Sequence, residues 1–327
     1  MSNASTGRSA VRWYAEASAP TNRPVETILA QVPHRPVADV FTCPLERLGG
    51  DFEGEIWQID GGAADVVSGQ AHGWHYRRVD DLAFAALHID DGPTLTPAGI
   101  QQAARDAYTS LFALQTELQL PEVQRIWHWL SSVTVDSGDD QRYKRFCRGR
   151  AEALDSPGHS LSVLPPATLV SGARRGVRLH ALLGDQPVQP VENPRQISAY
   201  RYPRDYGERA PAFARAGVAT LGASRYLLIS GTASIVGHAS QHLGDVQAQA
   251  DEAMNNLVAV IEAAAPLIGP RRLIDLECIK AYVREPADAE LIRARVAARL
   301  PGVPIALLHA PLCRDDLLVE FEAQMRL

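Results

Sequence analysis

Apolar residues recur along this chain in two rhythms, and the rhythms alternate. Short apolar runs at 56–59, 82–89, 123–135, 177–183 and 226–230 have the length and the β-branched or aromatic content of buried strands. The runs at 72–76 and 82–89 flank Asp80-Asp81 and predict a strand pair joined by a turn. Between them lie stretches of helical period. Thr96-Pro97 opens the first, with threonine as cap and proline in the first turn, and Ile100, Ala103, Ala104, Ala107, Leu111 and Leu114 mark its apolar face. A second helix is expected over 139–154. A third is expected over 244–265, where Val246, Ala250, Met254, Leu257, Val258 and Ile261 share a face and Asp245 stands at the positive end of the dipole. Strand 273–284, helix 287–299, and strands 303–308 and 316–323 complete the chain, with 161–170 as the remaining strand of the first half.

Each half therefore reads strand, long helix, strand, helix, strand, strand. That order predicts a duplicated α+β unit, each copy a mixed sheet with helices packed on one face. The stretch 162–183 parallels 305–324, and Arg178 and His180 fall near where the second copy has Glu320 and Glu322, so only the second copy keeps an acidic pair. The proline-rich loop 184–194 marks the boundary, which gives a tail over 1–22, a degenerate N-terminal half over 23–188 and a C-terminal catalytic half over 189–327. Within 24–50, prolines alternate with short apolar pieces, and both strands and an extended arm fit.

Composition narrows the class without changing this picture. Of 327 residues, 46% are hydrophobic and 21% charged, enough apolar content for a core. A net charge of −6 disfavours non-specific nucleic-acid binding. No apolar run reaches membrane-spanning length and no apolar signal core opens the chain, so a cytoplasmic protein is expected. Cys43, Cys147, Cys278 and Cys313 are scattered, without the spacing of a zinc site or a disulfide framework. His238 and His242 are four apart but lack a third ligand, so no metal site is expected. The Gly61-Gly62 pair carries no phosphate-loop pattern.

The chemistry concentrates near the C-terminus. In L-L-V-E-F-E, Glu320 and Glu322 share one face of a strand, opposite Val319 and Phe321. A carboxyl buried on such a strand should have a raised pKa, which suits a general acid. Cys313 lies seven residues earlier with only His309 near it, a weak pattern for a cysteine nucleophile. From Gly231 to Ser240 nearly every side chain is small, which lets a ligand or backbone approach closely.

Four stretches together, S-G-T-A-S-I-V-G-H-x-S-x-H-x-G-D at 230–245, Q-I-S-A-Y-R-Y-P-R-D-Y-G at 196–207, F-C-R-G-R at 146–150 and C-R-D-D-L-L-V-E-F-E at 313–322, resemble the chorismatase family, which carries a YjgF/RidA-like fold. The resemblance implies an enzyme acting on chorismate without metal or organic cofactor. It implies that Glu320 is the catalytic acid, with Glu322 as runner-up. Glycine at 231 and cysteine at 313 resemble the type that forms 3-hydroxybenzoate, Cys313 assisting as an acid/base group and Gly231 leaving room for a shifted substrate pose. A dicarboxylate substrate needs fixed cations, and arginine binds carboxylates in bidentate fashion. Arg150, Arg204, Arg209, Arg215 and Arg284 are the candidates, Arg150 and Arg215 the foremost, with Tyr202 and Tyr206 as hydrogen-bond donors. The resemblance leaves open a type giving both 3- and 4-hydroxybenzoate, a hydrolysing type giving a diol, a non-catalytic YjgF-like binding protein with Glu320 exposed, and a RidA-like deaminase. It also leaves open a monomer or a YjgF-like trimer.

Overall fold

The computed structural model describes residues 9–14, 27–34, 40–59, 66–90, 96–157, 161, 163–172 and 175–327. The Gly61-Gly62 pair and most of the expected N-terminal tail lie outside these residues.

The strands of the first part are β1 (Ser9–Tyr14), β2 (Thr27–Pro33), β3 (Glu46–Gly50), β4 (Gly54–Ile59), β5 (Val67–Ala71), β6 (Trp74–Val79) and β7 (Leu82–Ile89). Helix α1 (Pro97–Leu118), β8 (Glu122–Ser131), α2 (Arg142–Leu154), β9 (Ala167–Gly172) and β10 (Val177–Gly184) follow. The second part runs β11 (Gln189–Val191), β12 (Ala216–Leu221), β13 (Ser224–Ala233), β14 (Ile235–Val236), β15 (Ala239–Ser240), α3 (Val246–Ile268), β16 (Cys278–Val283), α4 (Ala289–Arg299), β17 (Ile305–His309) and β18 (Val319–Arg326).

Two large sheets carry the duplication. Their strand orders are β5-β6-β7-β10-β8-β9 and β11-β12-β13-β18-β16-β17-β3. Strand for strand the first six positions correspond, including the parallel pairs β8·β9 and β16·β17, each spanned by a short helix. Each half is thus β-β-β-α-β-α-β-β, and the fold is α+β with the repeat expected from the sequence. The expected six-element pattern left out the leading strands, although the strand read at 72–76 falls on β6 and pairs with β7 as expected. β12, Ala-Gly-Val-Ala-Thr-Leu, is too poor in large apolar residues to show as a run, and β3 ends on two glycines. β3 precedes the expected boundary at 188, yet it forms the edge of the second sheet by pairing with β17. The third sheet, β1-β4-β2, corrects the tail reading: Ser9–Tyr14 pairs antiparallel with β4 along its whole length.

Helix ends follow local chemistry. Thr96 accepts from Gly99 N at 3.1 Å and Pro97 takes the first turn; Asp245 accepts from Ala248 N at 3.0 Å. The second helix begins at Arg142 rather than 139, after a 3-10 turn over Gly138–Asp140.

Three cores result. α1 and α2 cover one face of the first sheet, with Ile100, Leu111, Phe146 and Leu179 among the buried residues. α3 and α4 cover one face of the second, with Met254, Leu257, Val319 and Phe321. The remaining faces meet each other through Phe84, Trp127, Leu182, Tyr226, Leu228 and Tyr282. Layers run helix, sheet, sheet, helix. Alternation along β18 sends Val319, Phe321 and Ala323 to the helices, and Glu320 and Glu322 to the seam between the sheets. Among the described residues no helix is long and apolar enough to cross a membrane.

Candidate active site

A cavity of about 350 Å³ opens where the two halves meet, at the top of β18. Glu320, Gly231, Cys313, Tyr143 and Phe213 line both it and a narrow inner recess that reaches His128, Thr168 and Arg150. Helix α2 and strands β8 and β9 of the first half build one wall, so one chain supplies both sides of the site.

Glu320 is 6% exposed, and its carboxyl has no hydrogen-bond partner among the described residues. Burial, with the charge of Glu322 next in importance, pushes its pKa up to about 8, against the pull of Arg215 and Arg125. It is a neutral acid at pH 7. Glu322, two residues on, is its opposite. Lys280 and Arg125 hold that carboxyl far below the usual range despite its burial, and Trp127, Thr168 and Tyr282 donate to it as well. A carboxylate so saturated has no proton to give, which removes Glu322 as runner-up acid. One strand thus presents two carboxyls whose surroundings drive their protonation apart.

Gly231 sits at a register shift between β13 and β18. A Cβ there would overlap Glu320 Oε1 and lie 2.8 Å from Glu320 Cδ and 3.2 Å from Thr168 Cγ2. The expectation gave this glycine to the substrate; the space beside it is filled by the acid itself. Cys313 is partly buried, and burial followed by the neighbouring Glu320 pushes its thiol up to about 12. It meets the cavity as a neutral S–H and is no base near pH 7.

The arginines divide. Arg150 is 3% exposed, its Nε lacks a hydrogen-bond partner, and its guanidinium reaches Cys147 Sγ at 3.7 Å and the Phe146 ring. Gly149 puts it there: a Cβ at 149 would overlap Gln101 O, so only glycine lets α2 close on α1. Arg215 is 5% exposed, donates to Ile197 O at 3.0 Å and Tyr202 OH at 2.8 Å, and lies over the Phe213 ring. Arg314, which sequence reasoning passed over inside a charged C-R-D-D turn, stacks on Tyr206 at 4.1 Å and Tyr202 at 5.3 Å and donates to His238 O. Arg215 and Arg314 line the main cavity with Tyr202 and Tyr206, and Arg150 lines the recess. Among the described residues none of the three pairs with a carboxylate. Arg150 and Arg215 are thus buried cations without counter-ions, which is costly, and an anionic ligand relieves that cost.

Arg209, Arg284 and Arg204 lie elsewhere. Arg209 is half-exposed against Asp155 at 2.6 Å, and Arg204 makes two 2.8 Å bonds with Asp139 on the surface. Both pairs tie the 201–211 segment, which carries Tyr202 and Tyr206, to the first half. Arg284 donates to Leu317 O at 2.7 Å and Arg314 O at 2.5 Å, behind the wall, and so braces the turn that presents Arg314. Sequence neighbours alone do not tell which way such side chains point.

His128 was also missed. Its Nδ1–H donates to Thr168 O at 3.0 Å, its Nε2 accepts from Tyr108 OH at 2.8 Å, and burial lowers its pKa to about 3, so it stays neutral. His238 bonds Tyr206 OH at 3.2 Å and His242 faces Glu252 at 3.5 Å. Among the described residues no group of three potential metal ligands converges.

A neutral buried acid in a cavity that also presents arginines without carboxylate partners fits an anionic substrate that must be protonated, and comparison with known proteins points the same way. Residues 55–183 match the family model described as chorismatase FkbO/Hyg5-like, N-terminal. A chorismatase of Streptomyces rapamycinicus is 36% identical over 319 residues, covering 91% of this chain and 92% of that protein. A 3-hydroxybenzoate synthase of Streptomyces hygroscopicus is 33% identical over 279 residues, 82% of this chain and 80% of that protein. The crystal structure of a chorismatase superposes with a TM-score of 0.83 at 29% identity, covering 97% of this chain and 98% of that one. The chain belongs to the chorismatase family.

Proposed function

We propose that the protein converts chorismate to 3-hydroxybenzoate and pyruvate, with Glu320 as the general acid. The observation that carries this reading is the neutral Glu320 carboxyl, buried on the wall of a cavity where Arg215, Arg314 and Arg150 lack acidic partners. The reading of a non-catalytic binding protein required an exposed Glu320, and its burial counts against that.

Chorismate is a dicarboxylate with an enol ether. The arginines hold its carboxylates and orient the ring, and Tyr202 and Tyr206 offer hydroxyls at the same wall. Glu320 delivers its proton to the terminal methylene, leaving an oxocarbenium-like centre. The neighbouring ring hydroxyl then attacks the carbon that bears the side chain and loses its proton; the C–O bond between that carbon and the side chain breaks, its electron pair forms the ketone of pyruvate, and a three-membered ring ether remains. The other C–O bond of that ether opens and the attacked carbon loses its hydrogen, which makes the ring aromatic; of the two protons released, one goes to the phenolic oxygen and the other returns to the Glu320 carboxylate. Chorismate equals hydroxybenzoate plus pyruvate in atoms, so no water is consumed. Gly231 and Cys313 are the residues that favour the 3-hydroxybenzoate outcome.

The test is incubation of purified protein with chorismate and chromatography against 3- and 4-hydroxybenzoate. A 3-hydroxybenzoate peak with equimolar pyruvate is expected. Added 4-hydroxybenzoate would assign the mixed type, the diol alone would overturn the product assignment, and no turnover would overturn the activity.

Arg215→Ala should weaken chorismate binding by on the order of 2–3 kcal/mol, the value of a charged hydrogen bond. KM then rises roughly 30- to 150-fold. Steady-state kinetics check this, and an unaltered KM removes Arg215 from the site.

A further inference from the structure

The seam between the sheets holds a charged cluster that the reaction above leaves unused. Glu322 Oε1 accepts from Trp127 Nε1 at 2.8 Å and faces Lys280 Nζ at 2.5 Å. Its Oε2 accepts from Thr168 Oγ1 at 2.7 Å and Tyr282 OH at 2.8 Å and faces Arg125 Nη2 at 3.1 Å. Lys280 Nζ also reaches Glu55 Oε1 at 2.5 Å. Two acids and two bases form a neutral, buried set, the condition under which ions persist in an interior. None of Glu55, Lys280 and Glu322 lines the cavity.

The cluster nevertheless touches the acid's surroundings in two ways. Glu322 follows Glu320 on the same face of β18, roughly 7 Å along the strand by ordinary strand rise. Second, Thr168 Oγ1 joins the cluster to the backbone beside the acid: it donates to Glu322, accepts from Arg125 Nη2 at 2.7 Å and accepts from Gly231 N at 3.0 Å. That amide belongs to the residue whose missing Cβ makes room for Glu320 Oε1.

We propose that Glu322 is a positioning residue for Glu320. Its fixed negative charge opposes ionisation of the acid, and through Thr168 it fixes the Gly231 backbone against which the acid's carboxyl lies. This rests on Glu320 being the acid.

Other charges also act on Glu320. Arg125 on β8 and Arg215 before β12 favour its ionisation, while the Cys313 thiol is coupled to it from the preceding loop. From α2, Arg150 and Tyr143 share its recess, as does the neutral His128 of β8, and Arg314 shares the main cavity. Lys144, Asp205, Asp315 and Asp316 also line the main cavity, the three aspartates exposed, and among all these groups Glu322 is the buried carboxylate that opposes so many cations.

The test is the pH dependence of kcat/KM for chorismate in Glu322→Gln, which keeps the shape and removes the charge. Lys280 and Arg125 are then in excess, so the limb where activity falls with rising pH should move down by more than about one unit, with activity regained at lower pH. A limb at the wild-type position with only kcat reduced overturns the charge role. Thr168→Val removes one hydroxyl and keeps the charges; kcat should fall by about tenfold or more with the limb in place, since small misplacements of a reacting group carry large losses. Unchanged kcat in this variant overturns the seating role, and it serves as the test if Glu322→Gln fails to fold. Glu320→Gln run in parallel separates the two levels. If it is inactive while Glu322→Gln leaves the limb unmoved, the positioning inference alone fails. If it keeps wild-type activity, the acid assignment fails.

Discussion

Glu320→Gln should reduce kcat for chorismate by about 10³-fold, the usual scale for losing a general acid. The amide keeps the carboxyl's shape but has no acidic proton for the methylene. Chorismate binding should survive, because Arg215, Arg314 and Arg150 are held by partners other than Glu320. Single-turnover kinetics with an independent binding measurement make the distinction: a variant that binds normally and turns over normally sinks the assignment. The wild-type pH profile carries the same information. The acid is neutral below its pKa of about 8, so kcat/KM should fall as pH rises through that value. In the variant this limb should be absent from any residual activity.

The same substitution should stabilise the protein, and the sign follows from linkage. In the folded state the carboxyl titrates near 8, against an ordinary value of 4.5. Below about 4.5 both folded and unfolded chains carry the proton and the wild type suffers no penalty. Between about 4.5 and 8 the unfolded chain releases its proton while the folded chain keeps it, so stability falls as pH rises. Glu320→Gln has no such proton. Its unfolding free energy should exceed that of the wild type increasingly across this window, by a few kcal/mol above pH 8, and its melting temperature should rise with it.

What the sequence revealed, and what it hid, follows from distance along the chain. The caps at Thr96 and Asp245, the long helices and the shared face of Glu320 and Glu322 depend on residues within a turn or a strand repeat of each other, and local pattern shows them. Arg314 could not be found this way. Its value comes from stacking on Tyr202 and Tyr206 more than a hundred residues upstream, while its own neighbours read as a polar turn. Arg209 and Arg284 erred in the opposite direction: their motifs were right, but ion pairing to Asp155 and bracing of the 314–317 turn turn them away from the cavity. Glu322 read as a second acid because its partners Lys280, Arg125 and Trp127 come from two other strands, one of them in the opposite half. The Gly231 motif was legible as a need for space, but which group fills that space is a property of the folded seam.

That last point decides what Gly231→Ala should do. The new methyl cannot be absorbed by Thr168, whose hydroxyl is fixed by Glu322, Arg125 and the Gly231 amide. The carboxyl of Glu320 is the flexible party, so it must swing away from its seat. Misplacing the acid by about an ångström should slow 3-hydroxybenzoate formation by about 10²-fold. Combining it with Cys313→Ala removes the sulfur beside the displaced carboxyl and opens room for a water at the ring. Water can then complete the cleavage that the ring hydroxyl otherwise performs, consuming one molecule and leaving the diol with pyruvate. The double variant should therefore shift product from 3-hydroxybenzoate towards the diol, read by chromatography at matched conversion. A slower enzyme with an unchanged product ratio would refute the two-residue argument and leave Gly231 as a seat for the acid alone.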